Sequence, residues 1–217
     1  MPLRQRHRRD DVGRRGVLYY GSYFGGIEAT EVRFRHDRIT TEGTPRQISI
    51  PNRYEATNVV RRGYWYYFFG SATNCCNGPL TGYSVFAGRS RSPFGPFIDR
   101  DGNSLRAGRV GGTPVLSMNG NRWVGAGHNS VFRDAGGQWW TAYHAVDRGD
   151  PNFETDPGFT KRPVLLDPID WVDGWPIVRA ADGRRTSRCP PRRHGPGRPA
   201  ATSPFRYGRS SPAGCAP

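Results

Sequence analysis

The chain has 217 residues, room for one domain of ordinary size, and its 29 glycines, 19 prolines and 12% aromatics suit short strands joined by turns. That mix excludes long helices; no apolar run nears the roughly 20 residues of a membrane helix, and no signal segment opens the chain. The net charge of +14 points on its face to nucleic acid or an anionic membrane. However, 15 of the 32 basic residues lie in 1–16 and 179–217, beside only 3 of the 18 acids, so 17–178 is nearly neutral.

Residues 1–16 are arginine-rich with almost no apolar side chains, and are expected to be a disordered basic leader. From Val17 the character changes: Val17-Leu18-Tyr19-Tyr20-Gly21-Ser22 reads as a strand entering the turn Tyr23-Phe24-Gly25-Gly26. Ile27 to His36 alternates apolar and charged residues with one phase slip near Thr30, the pattern of a half-exposed strand with a kink. Thr40 to Pro51 reads as a polar connection. Then comes Asn52-Arg53-Tyr54-Glu55-Ala56, an apolar strand over Thr57–Val60, the turn Arg61-Arg62-Gly63, and a strand of nearly unbroken aromatics, Tyr64 to Phe69. This is a hairpin with one acid, Glu55, at its mouth.

Ala72 to Pro79 reads as a loop, and Tyr83 to Ala87 as a short strand. Pro93 to Ile98 reads as an edge segment because of its prolines, and Asp99 to Gly112 as irregular chain. Further strands are expected at Val115–Met118, Asn121–Val124, Asn129–Arg133 and Gln138–Val146, with the last ordered piece running from Lys161–Leu166 to Val178. Four cysteines in this spacing make no zinc motif, and adjacent Cys75 and Cys76 are expected to be two thiols. Cys189 and Cys215 could pair or stay free. Residues 179–217, rich in Arg, Pro, Gly and Ser, are expected to be a disordered tail.

The hairpin recurs. Val59-Val60-Arg61 with Gly63 and the aromatics returns 72 residues later as Val131-Phe132-Arg133 with Gly137-Gln138-Trp139-Trp140, and Arg14-Arg15-Gly16 with Val17–Ser22 is a third copy. Repeats of this length made of short strands favour propeller blades over a β-sandwich. The same shift puts His128 within one residue of the position equivalent to Glu55. A histidine there is either packed and hydrogen-bonded or a metal ligand.

The Asn52–Ala56 motif with its aromatic hairpin and the run Gly127-His128-Asn129-Ser130-Val131-Phe132-Arg133 resemble glycoside hydrolase family 43. So do Tyr143-His144-Ala145-Val146-Asp147 and the stretch Arg162-Pro163-Val164-Leu165-Leu166-Asp167 through Trp171-Val172-Asp173-Gly174-Trp175-Pro176. The resemblance is nearest to the arabinan endo-1,5-α-L-arabinosidases. It implies an all-β, five-bladed β-propeller that hydrolyses arabinan or related arabinose- or xylose-containing plant polysaccharide with inversion. Inversion takes one carboxylic acid to protonate the leaving oxygen and one carboxylate to activate water.

By resemblance Glu55 is the general acid, and His128 helps hold a calcium ion in the central channel through water. Arg162 contacts sugar hydroxyls or the acid, while Ser22, Phe24, Asn74 and Cys75 line the pocket. The family's catalytic base lies on a first blade, and a further aspartate that tunes the acid lies on the strand before the first hairpin. Here Leu3–Arg9 stands at that place, so roughly three of five blades are expected, N-terminally truncated and impaired in catalysis. Foreign sequence at both ends suggests a misplaced frame. The partner expected is a plant polysaccharide or oligosaccharide, with no membrane, and the family expectation is extracellular. A non-catalytic carbohydrate-binding remnant is the second reading. A basic nucleic-acid binder is the third; it requires a steep salt dependence that disappears on removal of 179–217.

Overall fold

The computed structural model describes residues 13–108, 111–118, 122–156 and 158–178. The leader and tail expectations for 1–12 and 179–217 fall outside them, and the first strand begins at Arg15, inside the stretch assigned to the leader. The strands in chain order are β1 (Arg15–Ser22), β2 (Gly26–Phe34), β3 (Ile39–Ser49), β4 (Tyr54–Arg62), β5 (Trp65–Ala72) and β6 (Ser84–Ser90). They continue with β7 (Thr113–Leu116), β8 (Trp123–Arg133), β9 (Trp139–Asp147), β10 (Val164–Val172) and β11 (Trp175–Val178). Among the described residues the only helical element is one 3₁₀ turn at Gly78–Leu80.

Each strand pairs antiparallel with the next inside three separate sheets, β1-β2-β3, β4-β5-β6-β7 and β8-β9-β10-β11. No described strand crosses between sheets as a sandwich requires, and the three meanders are blades of a β-propeller. The 72-residue repeat superposes β4-β5 on β8-β9, and the third copy of the motif is β1, the counterpart of β5 and β9.

Local chemistry accounts for the hairpins. Arg62 pairs with Trp65 across a two-residue turn opened by Gly63, whose φ is 59°, and Val172 pairs with Trp175 across Asp173-Gly174 with φ of 52° and 75°. Such turns demand positive φ, which Gly and Asp-Gly supply. The phase slip near Thr30 is a bulge: the β2–β3 register shifts between Ala29 and Glu31.

The aromatic strand β5 is continuous because it is buried on both faces. Tyr67 and Phe69 pack toward the third sheet with Val85, Ala126, Val131, Tyr143 and Ile169. Phe68 points the other way, into a core with Ile27, Ala29, Ile48, Tyr54, Phe97 and Leu105. Alternate side chains thus serve two inter-blade cores, each large buried side chain contributing about 1.5–3 kcal/mol.

Two expectations need correction. Thr40–Pro51 is not a loop, since Ile39–Ser49 forms β3; its threonines and charges face solvent from the outer edge, and only Ile48 and Ser49 are buried. Of the two strands expected at Asn121–Val124 and Asn129–Arg133, Trp123–Val124 and Asn129–Arg133 belong to one strand, β8, whose register shifts on either side of Gly127. The last ordered piece does run to Val178, as β10 and β11, and Pro168 is tolerated within β10 because β11 pairs with β10 only from Ile169 onward.

Candidate active site

Glu55 is the second residue of β4. It pairs with Ser71 on β5, and the next pair is Asn58 with Phe69, so Ala56 and Thr57 together oppose Gly70 alone. Ala56 takes φ 52° at this bulge. β8 repeats the device: Gly127 pairs with His144, the next pair is Ser130 with Ala142, and His128 has φ 52°. The 72-residue shift therefore maps His128 on Ala56 and Gly127 on Glu55. Left-handed backbone at residues other than glycine costs of order 1–3 kcal/mol, and such costs concentrate at functional sites, where a bulge re-aims a side chain.

The bulges meet through Ser71, whose buried hydroxyl oxygen accepts the His128 backbone N–H at 2.8 Å. The Tyr83 hydroxyl donates to Glu55 Oε1 at 2.7 Å. Tyr83 is 1% exposed and its ring stacks on His144, centroids 5.8 Å apart, while the His144 ring lies 6.2 Å from that of His128. Glycine at 127 makes room for this. A β-carbon there would lie 2.2 Å from the Tyr83 ring.

Glu55 opens into a cleft of about 430 Å³, lined also by Tyr23, Phe24, Thr73, Asn74 and Cys75. Phe24, 79% exposed, stands at the tip of the β1–β2 turn, and the Ser22 hydroxyl oxygen holds that turn by accepting the Gly25 N–H at 3.2 Å. Arg162 is anchored from the third sheet, its Nη2 donating to the Cys75 carbonyl at 3.0 Å. The cleft thus gathers Glu55, Phe24, Asn74 and Cys75, with Arg162 on its rim and Ser22 behind the Phe24 turn. His128 sits apart, beside His144. Sequence reasoning missed Tyr83, Ser71, Thr73 and Tyr23, and left His144 without a role although it stands in a quoted motif.

One correction concerns the cysteines: Cys75 and Cys76 are joined in a disulfide. They sit in a tight turn where the Asn74 side-chain oxygen accepts the Cys76 N–H at 3.3 Å, which folds the backbone enough for the neighbouring sulfurs to meet.

The electrostatics divide the site. Burial, then the bond to Glu55, pushes the Tyr83 hydroxyl far above its ordinary range, so Tyr83 keeps its proton and acts as donor. Burial first, then the charges of Arg162 and His128, pushes His144 down from 6.5 to about 4, against an opposing pull from Glu55. His144 is therefore neutral at pH 7. The folded protein resists a proton that the unfolded chain accepts, so this contribution to stability is whole above about pH 6.5 and is lost as pH falls toward 4. Discounted for partial exposure, the loss is about 1–3 kcal/mol. Urea melts at pH 7.5 and 4.5 are expected to differ by that much more in the wild type than in His144→Gln. Equal differences would contradict it.

The donor set does not fit direct calcium coordination. Calcium takes six to eight oxygens, whereas the side chains gathered around His128 are two imidazoles, a guanidinium and Glu55. Among the described residues no three His, Cys, Asp or Glu side chains cluster as a metal cage.

Residues 18–176 match the family described as Glycosyl hydrolases family 43. An extracellular endo-α-(1→5)-L-arabinanase of Bacillus subtilis is 30% identical over 167 residues, covering 73% of this chain and 45% of that protein. An extracellular exo-α-(1→5)-L-arabinofuranosidase of Cellvibrio japonicus is 30% identical over 178 residues, covering 74% and 47%. Among solved structures, the Cellvibrio cellulosa α-L-arabinanase complexed with arabinohexaose aligns with TM-score 0.63 at 25% identity, covering 75% of this chain and 52% of that one. The endo-arabinanase of Bacillus licheniformis aligns with TM-score 0.59 at 32% identity, covering 74% and 51%. The chain spans about half the length of these relatives.

Proposed function

The chain belongs to glycosyl hydrolase family 43, and on that premise we propose that its cleft binds arabino-oligosaccharides, with Glu55 as proton donor to the leaving oxygen of an inverting hydrolysis. The observation that carries this reading is the placement of Glu55. A strained bulge turns it into a cleft whose other walls are an exposed aromatic ring and small polar side chains, the usual make-up of a sugar site. Tyr83 fixes one carboxyl oxygen, which sets the direction in which the acid proton can be delivered. Arg162, bonded to the Cys75 carbonyl beside the cleft, has further N–H donors for sugar hydroxyls.

Inversion needs a second carboxylate roughly 6.5–9.5 Å from the first, on the opposite face of the sugar. Among the described residues Glu55 is the only carboxylate lining the cleft. The 217-residue chain, assayed alone, is therefore expected to bind arabinohexaose while hydrolysing linear arabinan at least about 10²-fold more slowly than a full-length relative. This keeps the non-catalytic carbohydrate-binding role in view as the second reading. Calorimetric titration with arabinohexaose, paired with reducing-sugar release, tests both parts. No binding would sink the reading of the cleft, and hydrolysis at a relative's rate would sink the claim about the second carboxylate.

Calcium enters only as an ion held through water beside His128, and no step is routed through it. Running the same titration with calcium and with a chelator tests that part, equal affinities counting against it. Two relatives are named extracellular, and a disulfide suits an oxidising compartment, so we place this protein outside the cell. Among the described residues no helix is long and apolar enough to cross a membrane.

A further inference from the structure

We propose that the Cys75–Cys76 disulfide is a sugar-contact and positioning element of the cleft, so that affinity depends on its oxidation state. This rests on the reading of the cleft as an arabino-oligosaccharide site. Cys75 is half-buried and forms part of the wall that also holds Glu55, Thr73 and Asn74, and exposed Cys76 lies beside it. A ring closed between neighbouring residues presents its sulfurs and β-carbons as one rigid apolar patch on an otherwise polar loop. Phe24 supplies a second apolar surface in the same cleft. A furanose has apolar C–H faces and polar edges, which suits two apolar walls with polar groups between them.

The disulfide also acts at a distance. The Cys75 carbonyl accepts the bond from Arg162 Nη2 at 3.0 Å, the link between this loop and the third sheet. Arg162 bears electrostatically on both His144 and Tyr83, the residue that holds Glu55. Opening the ring frees the backbone that presents this carbonyl. The rest of the loop has independent ties: Thr73 Oγ1 donates to the Gly82 carbonyl and Thr81 Oγ1 to the Asn74 carbonyl. Reduction is thus expected to loosen one wall and release Arg162 without unfolding the blade, and loss of such preorganisation lowers affinity.

The test uses the full chain with Cys189→Ser and Cys215→Ser, so that only one disulfide can report. A dithiol breaks the Cys75–Cys76 bond, leaving two protein thiols and a cyclic disulfide on the reagent, and mass spectrometry counts the two hydrogens gained. Arabinohexaose affinity is then measured by calorimetry on the oxidised and reduced forms, with a thermal melt of each. The Cys75→Ala/Cys76→Ala variant serves as a reagent-free second measurement. The expected result is about fivefold or more weaker binding in the reduced form and the double variant, with Tm within a few degrees and affinity restored on reoxidation. Arg162→Gln is expected to weaken binding in the oxidised form and to add little in the reduced form, a coupling that loss of the patch alone would not produce. Equal affinities of the oxidised and reduced forms overturn the proposal and leave the sugar-binding reading standing. Failure of both forms to bind overturns the reading of the cleft and this proposal with it. Weak binding together with a melt lowered by tens of degrees overturns the positioning role in favour of a purely structural one.

Discussion

Glu55→Gln is expected to lower turnover of linear arabinan by about 10²–10⁴-fold, the usual worth of a positioned general acid. The measurement needs a protein that turns over, so the chain is fused to the part of a full-length relative that it does not span. Glutamine keeps the shape, and its amide oxygen still accepts the Tyr83 hydroxyl that now reaches Glu55 Oε1, so the cleft stays assembled. What is lost is the proton. An aryl arabinoside with a good leaving group needs little protonation, and its rate is expected to fall far less. Arabinohexaose affinity of the variant is expected to stay within about threefold, since the acid acts on the transition state and not on the bound ground state. An unchanged rate on arabinan would remove Glu55 from the chemistry. An equal fall for both substrates would point to collapse of the cleft.

Gly127→Ala is expected to destabilise the protein strongly and to disturb the Tyr83–Glu55 pair. The added carbon would lie 2.2 Å from two atoms of the Tyr83 ring. That ring cannot move away, because it is fully buried, stacked on His144, and bound through its hydroxyl to Glu55. Overpacking of this kind costs about 1–3 kcal/mol, and breaking the tyrosine–carboxyl bond adds about 1 kcal/mol or more. Together they lower Tm by roughly 4–15 °C for a domain of this size. Gly149→Ala is the control: its β-carbon would meet nothing nearer than Asp147 Oδ1 at 3.5 Å, and the change is expected to stay within about 0.5 kcal/mol. Combining Gly127→Ala with Tyr83→Ala is expected to cost less than the sum of the two, because the clash and the bond involve the same ring. Strict additivity would show that Gly127 and Tyr83 do not interact as described.

The place of Glu55 at the mouth of its hairpin was legible because it has a local cause. An acid beside a Tyr, just before a β-branched strand, a glycine turn and an aromatic strand, marks the mouth of a hairpin whatever surrounds it. The repeat located His128 for the same reason, and the structure gives the shared feature as a bulge at Ala56 and His128. Tyr83 was not legible, because nothing near it in sequence says that a strand 28 residues earlier will present a carboxyl to its hydroxyl. His144 was quoted within a motif but given no role. Its low proton affinity comes first from burial and then from Arg162 and His128, which reach it only when β8, β9 and the chain entering β10 lie side by side.

The disulfide was misjudged from a sound generality, that neighbouring cysteines seldom bond, because the turn that brings their sulfurs together is set by Asn74 and by the loop's ties to Gly82 and Arg162. Strand β3 was missed because a blade's outer strand buries little, so a polar sequence suffices there. The sequence by itself determined the strand periods, the turns with their glycines, the repeated hairpin and the position of the acid. All of these follow from interactions within a few residues, where side-chain alternation and allowed φ leave few options. Only the tertiary structure decided which faces of β5 serve which core, that Tyr83 holds Glu55, that Arg162 leans on Cys75, and that His144 is neutral. Those depend on strands of one sheet and of neighbouring blades coming side by side, and the two hydrogen-bonded pairs among them lie 28 and 87 positions apart, beyond the reach of any local rule.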